Sequence, residues 1–319
     1  MSPIEFSLHS ALTHWQWSPF SLFTGASLIA VAVWYLRADW QLAARGRRWP
    51  GRRTGAFLAG LVAVDLALES PVASFTGSYF QAHVLQHLLL MVVAPPLLAL
   101  GAPSTLFLQT SGRRIKVRWL AVLRSRPFAA LTYPATVWAL YFGVMFVFFL
   151  TSLINTAMHD MALMDVMNLT FLLGGCLYWW PMVGIDPIVH WKMGYGARML
   201  NVLVGAAPET LLGLAILSSG RPIASMYTLA STHSGGGLLW VSTEFATMVG
   251  FVPIFLQWMR SDERQALRAD ARAQVPMVVD ADAAVATESP GRTGADLTAW
   301  EAAWLAKTGT VPSQQAADA

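Results

Sequence analysis

Two histidines open a segment that is otherwise almost entirely apolar. In YFQAHVLQHLLLMVVAPPLLALGAP (residues 79–103), His83 and His87 are four residues apart, and Met91 follows after four more. In an α-helix this spacing places all three side chains on one face. Two imidazoles buried in lipid each need a polar partner, and one metal ion would serve both. The spacing therefore indicates a metal site, and the alternative is a pair of hydrogen-bonded packing residues.

Further side chains that bind metals well occur elsewhere in the chain. They are the imidazoles of His159 and His233, the thioethers of Met158 and Met161, and the carboxylates of Glu69, Asp160 and Asp165. Imidazole and thioether ligands favour copper, as Cu(I). Zinc would take histidines with a carboxylate and keep one position open for water. The methionines are also typical of ordinary packing, because methionine fills irregular gaps well.

The composition says which kind of structure must hold these residues. Of the 319 residues, 55% are hydrophobic and 12% are charged, whereas soluble domains carry about 25% charged residues. Cys176 is the single cysteine, which excludes an internal disulfide and a thiolate metal cluster. The chain is therefore expected to be a polytopic membrane protein.

Seven apolar segments predict an all-α bundle of seven transmembrane helices. Their bounds are 20–36, 55–68 with an extension to about residue 72, 83–100, 129–150, 162–183, 199–217 and 235–258. The pair Pro95–Pro96 and the single Pro208 should bend the third and sixth helices. All Lys and Arg except Arg221 fall on one side of this arrangement. By the positive-inside rule that side is cytoplasmic, so the N-terminus is outside and the C-terminus is cytoplasmic.

This topology separates the histidines from the basic residues. Six histidines fall at the outer side, namely His9, His14, His83, His87, His159 and His233, and only His190 is cytoplasmic. His9 and His14 lie in an interfacial aromatic patch and are expected to be solvated rather than metal ligands. Three regions follow: an outer-face segment (1–19), the seven-helix domain (20–259) and a cytoplasmic tail (260–319). The tail is expected to be mostly disordered, with a short amphipathic helix near residues 295–307.

Three stretches resemble the caa3-type CtaG family of cytochrome c oxidase assembly proteins. They are HVLQHLLLMVVAPPLLALGAP (83–103), MHDMALMDVMNLTFLLGGCLYWWPMVGIDP (158–187) and GGGLLWVSTE (235–244). The resemblance implies a seven-helix fold and copper handling during oxidase assembly. His83 and His87 match the paired histidines of the family, and His159 matches a histidine of its fourth loop. Thr232, before His233, replaces an acid that many members have there. Residues 179–187 are expected to shape a helix end.

Together these observations predict an assembly factor in the bacterial cytoplasmic (inner) membrane rather than an enzyme. Cu(I) would be bound by His83, His87, His159 and His233, with Met91, Met158 and Met161 as softer candidates and Glu69 and Asp165 hydrogen-bonded to the imidazoles. The expected partners are the oxidase catalytic subunit and membrane lipid, with no nucleic acid. The alternative is a zinc-dependent membrane hydrolase that uses the histidine pair. Bis-histidine haem fits poorly, since haem ligands approach from opposite faces. Retinal is excluded, because every lysine lies outside the spans.

Overall fold

The computed structural model of the chain describes residues 19–186 and 191–273, and these residues form α-helices joined by short loops. The helices are α1 (Pro19–Ala44), α2 (Gly51–Leu68), α3 (Pro71–Phe75), α4 (Phe80–Leu88), α5 (Ala94–Leu100), α6 (Pro103–Thr110), α7 (Arg113–Leu123), α8 (Arg126–Leu131), α9 (Pro134–Leu150), α10 (Leu153–His159), α11 (Met161–Val183), α12 (Tyr195–Leu217) and α13 (Leu229–Ala273), with a π-helical turn (Leu89–Val93) between α4 and α5. His9, His14, His190 and the helix expected near residues 295–307 lie outside the described residues.

Six of the described helical stretches are long and apolar enough to cross a membrane. Their bounds are Ser21–Ala44, Gly51–Phe75, Phe80–Thr110, Met161–Val183, Tyr195–Leu217 and Leu229–Leu267. A seventh span results if α9 and α10, which meet at an angle of 75°, are counted as one broken span. The prediction of an all-α, multi-pass membrane protein is confirmed, with six or seven spans.

The third span contains a change of helix type, from α to π and back to α. Pro95 and Pro96 have no N–H group to donate to the carbonyls of Met91 and Val92. The chain forms the π-helical turn directly before these prolines. Such turns change the hydrogen-bonding partners of the backbone without ending the helix. The structure thus places a π-helical turn next to the proline pair, where the sequence predicts a bend.

Close packing holds α11 against this π-helical turn. Gly175 of α11 lies so near that a Cβ atom built on it would be 2.7 Å from Pro95 Cγ and 2.8 Å from the Met91 carbonyl oxygen. Only glycine permits this approach. The contact fixes α11 beside the segment that carries the histidine pair.

The loops separate into two groups at opposite ends of the helices. At one end, which we call the arginine end, Arg45 donates to the Gln109 and Thr110 carbonyls, and Trp191 donates to the Ala129 carbonyl. At the other, the histidine end, Tyr227 donates to the Thr76 carbonyl. The loops expected to share one side of the membrane therefore meet in the structure.

The chain divides into two units between Arg260 and Ser261. Of the second unit the structure describes the end of α13, up to Ala273.

Candidate metal-binding site

The two imidazoles of α4 contact each other inside the protein. His83 Nε2 and His87 Nε2 are 2.7 Å apart, and the two residues are 0% and 4% exposed. One Nε2 must donate to the other, so the two neutral rings are different tautomers. Both Nδ1 atoms are buried without a hydrogen-bond partner. The pair therefore leaves one N–H donor and one acceptor nitrogen unsatisfied.

Aromatic rings surround the pair. The ring of His83 lies parallel to that of Phe148, with centroids 5.8 Å apart. The ring of His87 meets Phe171 edge-on at 4.3 Å. Phe149 contacts both imidazoles. This enclosure replaces water with apolar surface, which strengthens any electrostatic interaction inside it.

Met91 continues the histidine face one helical turn further. It is 3% exposed, and it lines a cavity of about 10 Å³ together with His87, which is about the room of one water-sized sphere. Tyr141 of α9 and Glu209 of α12 line the opposite side. His83 and His87 of α4 and Met91 of the π-helical turn are thus all buried, and His87 and Met91 line the same cavity.

The other two predicted histidines bind the backbone instead. His159 is exposed, and its Nδ1 is 3.0 Å from the Asn155 carbonyl oxygen. The Nε2 of His233 is 2.8 Å from the Ser219 carbonyl oxygen. Within residues 19–186 and 191–273, no group of three His, Cys, Asp or Glu residues is arranged to hold a metal. The ligand roles of His159 and His233 stay predictions.

The predicted thioethers and carboxylates are also spread out. Met158 Sδ is 3.5 Å from the hydroxyl of Tyr227, whose ring centroid is 6.4 Å from that of His83, whereas Met161 is 76% exposed. Glu69 lies against the backbone of Gly25 in α1. Since both Nδ1 atoms lack partners, neither Glu69 nor Asp165 hydrogen-bonds to the histidine pair.

Several residues of the site were not predicted from the sequence. They are Phe148, Phe149, Phe171, Tyr227, Tyr141 and Glu209. The aromatic residues are common in membrane helices and carry no spacing signal. Glu209 did have a signal, because an acid in the middle of an apolar helix usually marks a site or a pathway.

Residues 179–187 are expected to shape the end of the fifth span, and α11 does end at Val183, followed by Gly184 with a φ of 64°. Asp186, two residues further on, contacts a different helix. Its carboxylate accepts hydrogen bonds from the backbone N–H groups of Ser104 and Thr105, at 3.2 and 2.8 Å, and from the Thr105 hydroxyl at 2.6 Å. Burial raises the pKa of Asp186, and the hydrogen bonds from Thr105 and Ser104 oppose that rise. Asp186 therefore caps α6 across the arginine end.

Comparison with known proteins places most of the chain in a family. The sequence profile of the family described as cytochrome c oxidase caa3 assembly factor matches residues 33–261. The chain belongs to this family. The matched region contains the histidine pair, the π-helical turn and the Asp186 cap. The printed description of the family refers to the assembly of a caa3-type cytochrome c oxidase.

Similar proteins occur in mycobacteria. An uncharacterized protein of Mycobacterium leprae is 29% identical over 275 residues, which are 80% of this chain and 41% of that protein. An uncharacterized protein of Mycobacterium bovis is 29% identical over 283 residues, 82% of this chain and 42% of that protein. This caa3 assembly factor family member thus spans about two fifths of the length of these relatives. No solved structure matches the chain.

Proposed function

We propose that the protein assists assembly of a haem–copper oxidase in the bacterial cytoplasmic membrane by binding Cu(I) at His83 and His87 and passing it to the oxidase catalytic subunit. The histidine end then faces outward and the arginine end faces the cytoplasm, in line with the positive-inside rule. Met91 is the third donor of the buried face. Met158 lies at the edge of the same aromatic enclosure, and the exposed His159 and Met161 are placed to take part in uptake or transfer.

One observation carries this proposal: two adjacent, fully enclosed imidazoles whose Nδ1 atoms have no partner. An unsatisfied buried polar group costs about 1–3 kcal/mol, so the pair destabilises the chain by roughly twice that amount while it binds nothing. A buried polar group of this kind calls for an explanation. A soft cation offsets the cost, because neutral imidazole and thioether donors are the ligands that Cu(I) prefers.

The zinc hydrolase alternative receives less support. A catalytic zinc site takes three protein ligands and leaves a position open for water, and no such group of His, Cys, Asp and Glu forms in the part of the chain that the structure describes. The cavity beside His87 holds about 10 Å³, which is far below the few hundred Å³ of typical substrate pockets.

The test is metal binding by the full chain in detergent under reducing conditions. Bound metal per chain is counted by mass spectrometry, and the Cu(I) dissociation constant is measured by competition with a chromophoric chelator. The double variant His83→Ala/His87→Ala removes the proposed donors. The matched control is His159→Ala/His233→Ala, which removes the two histidines that the structure places in backbone hydrogen bonds.

About one Cu(I) per chain, lost in the first double variant and retained in the control, is the expected result. Loss of Cu(I) binding in the control variant alone would overturn the proposal that His83 and His87 form the binding site. Zinc bound in preference to Cu(I) would favour the hydrolase. If the wild-type chain binds neither metal, the oxidase-assembly role would rest on family membership, and His83 and His87 would become packing residues.

A further inference from the structure

Glu209 lines the cavity beside His87 and comes from a different helix. It lies in α12, eight residues before the helix ends at Leu217, which is about 12 Å along the axis at the usual rise per residue. His87 lies seven residues after the start of α4, about 10.5 Å from the same end. The two side chains therefore lie at nearly the same depth, and they line one cavity.

Two hydroxyl groups lie beside the Glu209 carboxyl group. The hydroxyl of Tyr141 from α9 lies within hydrogen-bonding reach of it. The hydroxyl of Thr243 from α13 is also nearby, and it donates to the Leu239 carbonyl at 2.8 Å. Tyr141 is 2% exposed and Thr243 is 1% exposed, so neither is free to swing into another position. The carboxyl group thus has fixed neighbours on two other helices.

The charged side chain that lines the cavity is acidic. The lining of the cavity consists of Glu209, the donors His87 and Met91, the hydroxyl of Tyr141, and apolar side chains. It includes no lysine or arginine. A cation held by neutral imidazole and thioether groups would add a full positive charge at this depth. A buried charge is costly unless an opposite charge lies close to it.

We propose that Glu209 is a cation-binding residue that supplies the negative charge for a monovalent cation held in this cavity by the histidine face. The inference rests on the proposed function, because it takes His83 and His87 as the donors. It adds a third helix, α12, to a site that the sequence assigns mainly to α4. It also explains why an acid occupies the apolar interior directly after Pro208.

The test compares Glu209→Gln with Glu244→Gln in lipid nanodiscs. Glutamine keeps the shape and an acceptor oxygen for the Tyr141 hydroxyl but removes the negative charge. Glu244 is the matched control: it lies next to Thr243 in α13, is exposed, and accepts from the Thr210 hydroxyl at 3.3 Å. The readout is the Cu(I) dissociation constant from chelator competition, with the thermal unfolding midpoint measured on each sample.

Glu209→Gln is expected to weaken Cu(I) binding at least tenfold with an unchanged unfolding midpoint, and Glu244→Gln to bind like wild type. Glu209→Asp, which keeps the charge, should bind more tightly than Glu209→Gln. Wild-type affinity in Glu209→Gln, with loss of binding in His83→Ala/His87→Ala, would overturn the role of Glu209 and leave the proposed function standing. Absence of binding in the wild-type chain would overturn both.

If Glu209→Gln does not fold, the role of Glu209 is tested on the wild-type protein. The chain is treated with a hydrophobic carbodiimide, which attacks buried carboxyl groups, with and without Cu(I), and the modified peptides are quantified. Cu(I) should protect Glu209 and leave Glu244 unaffected. Equal modification of Glu209 in both samples, including none in either, would overturn the proposal.

Discussion

Replacing Gly175 by alanine should disturb the bundle one helical turn from the histidine pair. The added Cβ would lie 2.7 Å from Pro95 Cγ, 2.8 Å from the Met91 carbonyl oxygen and 3.0 Å from Met91 Cα. Ordinary contacts of a Cβ atom begin near 3.4 Å, so the overlap is 0.7 Å at the first atom (3.4 minus 2.7) and 0.4 Å at the last (3.4 minus 3.0). These neighbours are backbone atoms and a proline ring, and none of them can rotate away.

The expected cost follows from a comparison with the adjacent residue. Overpacking a well-packed core costs about 1–3 kcal/mol, and alanine is better than glycine in a helix by about 0.5–1 kcal/mol. A Cβ on Gly174 would meet nothing within 4 Å. Gly174→Ala therefore carries the helix-propensity gain alone. The difference between the two variants isolates the overlap, about 1–3 kcal/mol.

Cys176 offers a convenient assay. It is the single cysteine of the chain and is not fully exposed, so a thiol-reactive fluorophore reports its exposure as the protein unfolds in detergent. At about 2–4 °C per kcal/mol for a chain of this size class, Gly175→Ala should unfold about 2–12 °C below Gly174→Ala. Equal midpoints for the two variants would refute the close contact between α11 and the π-helical turn.

Two further substitutions test the arginine end by the same thermal assay. Asp186→Ala leaves the N–H groups at the start of α6 without their acceptor and should cost about 1–3 kcal/mol, whereas Asp160→Ala, at an exposed helix cap, should cost about 1 kcal/mol. Tyr35→Phe removes a buried hydrogen bond of 2.6 Å to the Gly101 carbonyl and should cost about 1–3 kcal/mol. Tyr133→Phe, at an exposed position, should be neutral. Equal shifts for Tyr35→Phe and Tyr133→Phe, or a larger shift for Asp160→Ala than for Asp186→Ala, would contradict the assigned contacts.

The local part of the site could be read from the sequence because it depends on one helix. Residues four apart in a helix share a face whatever the rest of the chain does. His83 and His87 are buried side by side for this reason, whereas Met91 lies in the π-helical turn that follows. The membrane class follows equally directly, since a chain with 12% charged residues cannot present a polar surface on every side.

The long-range part of the site could not be read in the same way. Topology places His159 and His233 at the same end as the pair, but it does not determine how each ring turns. Both found a backbone carbonyl nearby, at 3.0 and 2.8 Å. A local carbonyl acceptor of this kind competes with a distant metal site for the imidazole ring. The residue pattern of the sequence does not show this competition. Glu209 meets the pair through the register between helices, which depends on packing at positions such as Gly175.

Tyr227 lies between the aromatic rings around His83 and His87 and the loops of the histidine end. Its hydroxyl offers a test of how Cu(I) is exchanged. It donates to the Thr76 carbonyl at 2.6 Å and lies 3.5 Å from Met158 Sδ, while its ring covers His83. Tyr227→Phe keeps the ring and releases the tether to α3. On the proposed function, Cu(I) transfer to a chelator should become several-fold faster while the dissociation constant stays within about threefold, roughly 0.65 kcal/mol.

The pH dependence of this exchange provides the check. Burial raises the pKa of Tyr227 above its ordinary value near 10, so the hydroxyl stays protonated and keeps donating at every pH below that value. The difference in transfer rate between wild type and Tyr227→Phe should therefore be the same at pH 6 and pH 9. A difference that disappears at pH 9 would mean that the tether is not this hydrogen bond. If wild type and Tyr227→Phe transfer Cu(I) at equal rates at both pH values, Cu(I) leaves by another route. The side of the cavity formed by Met91 and Glu209 would then be the exit to examine.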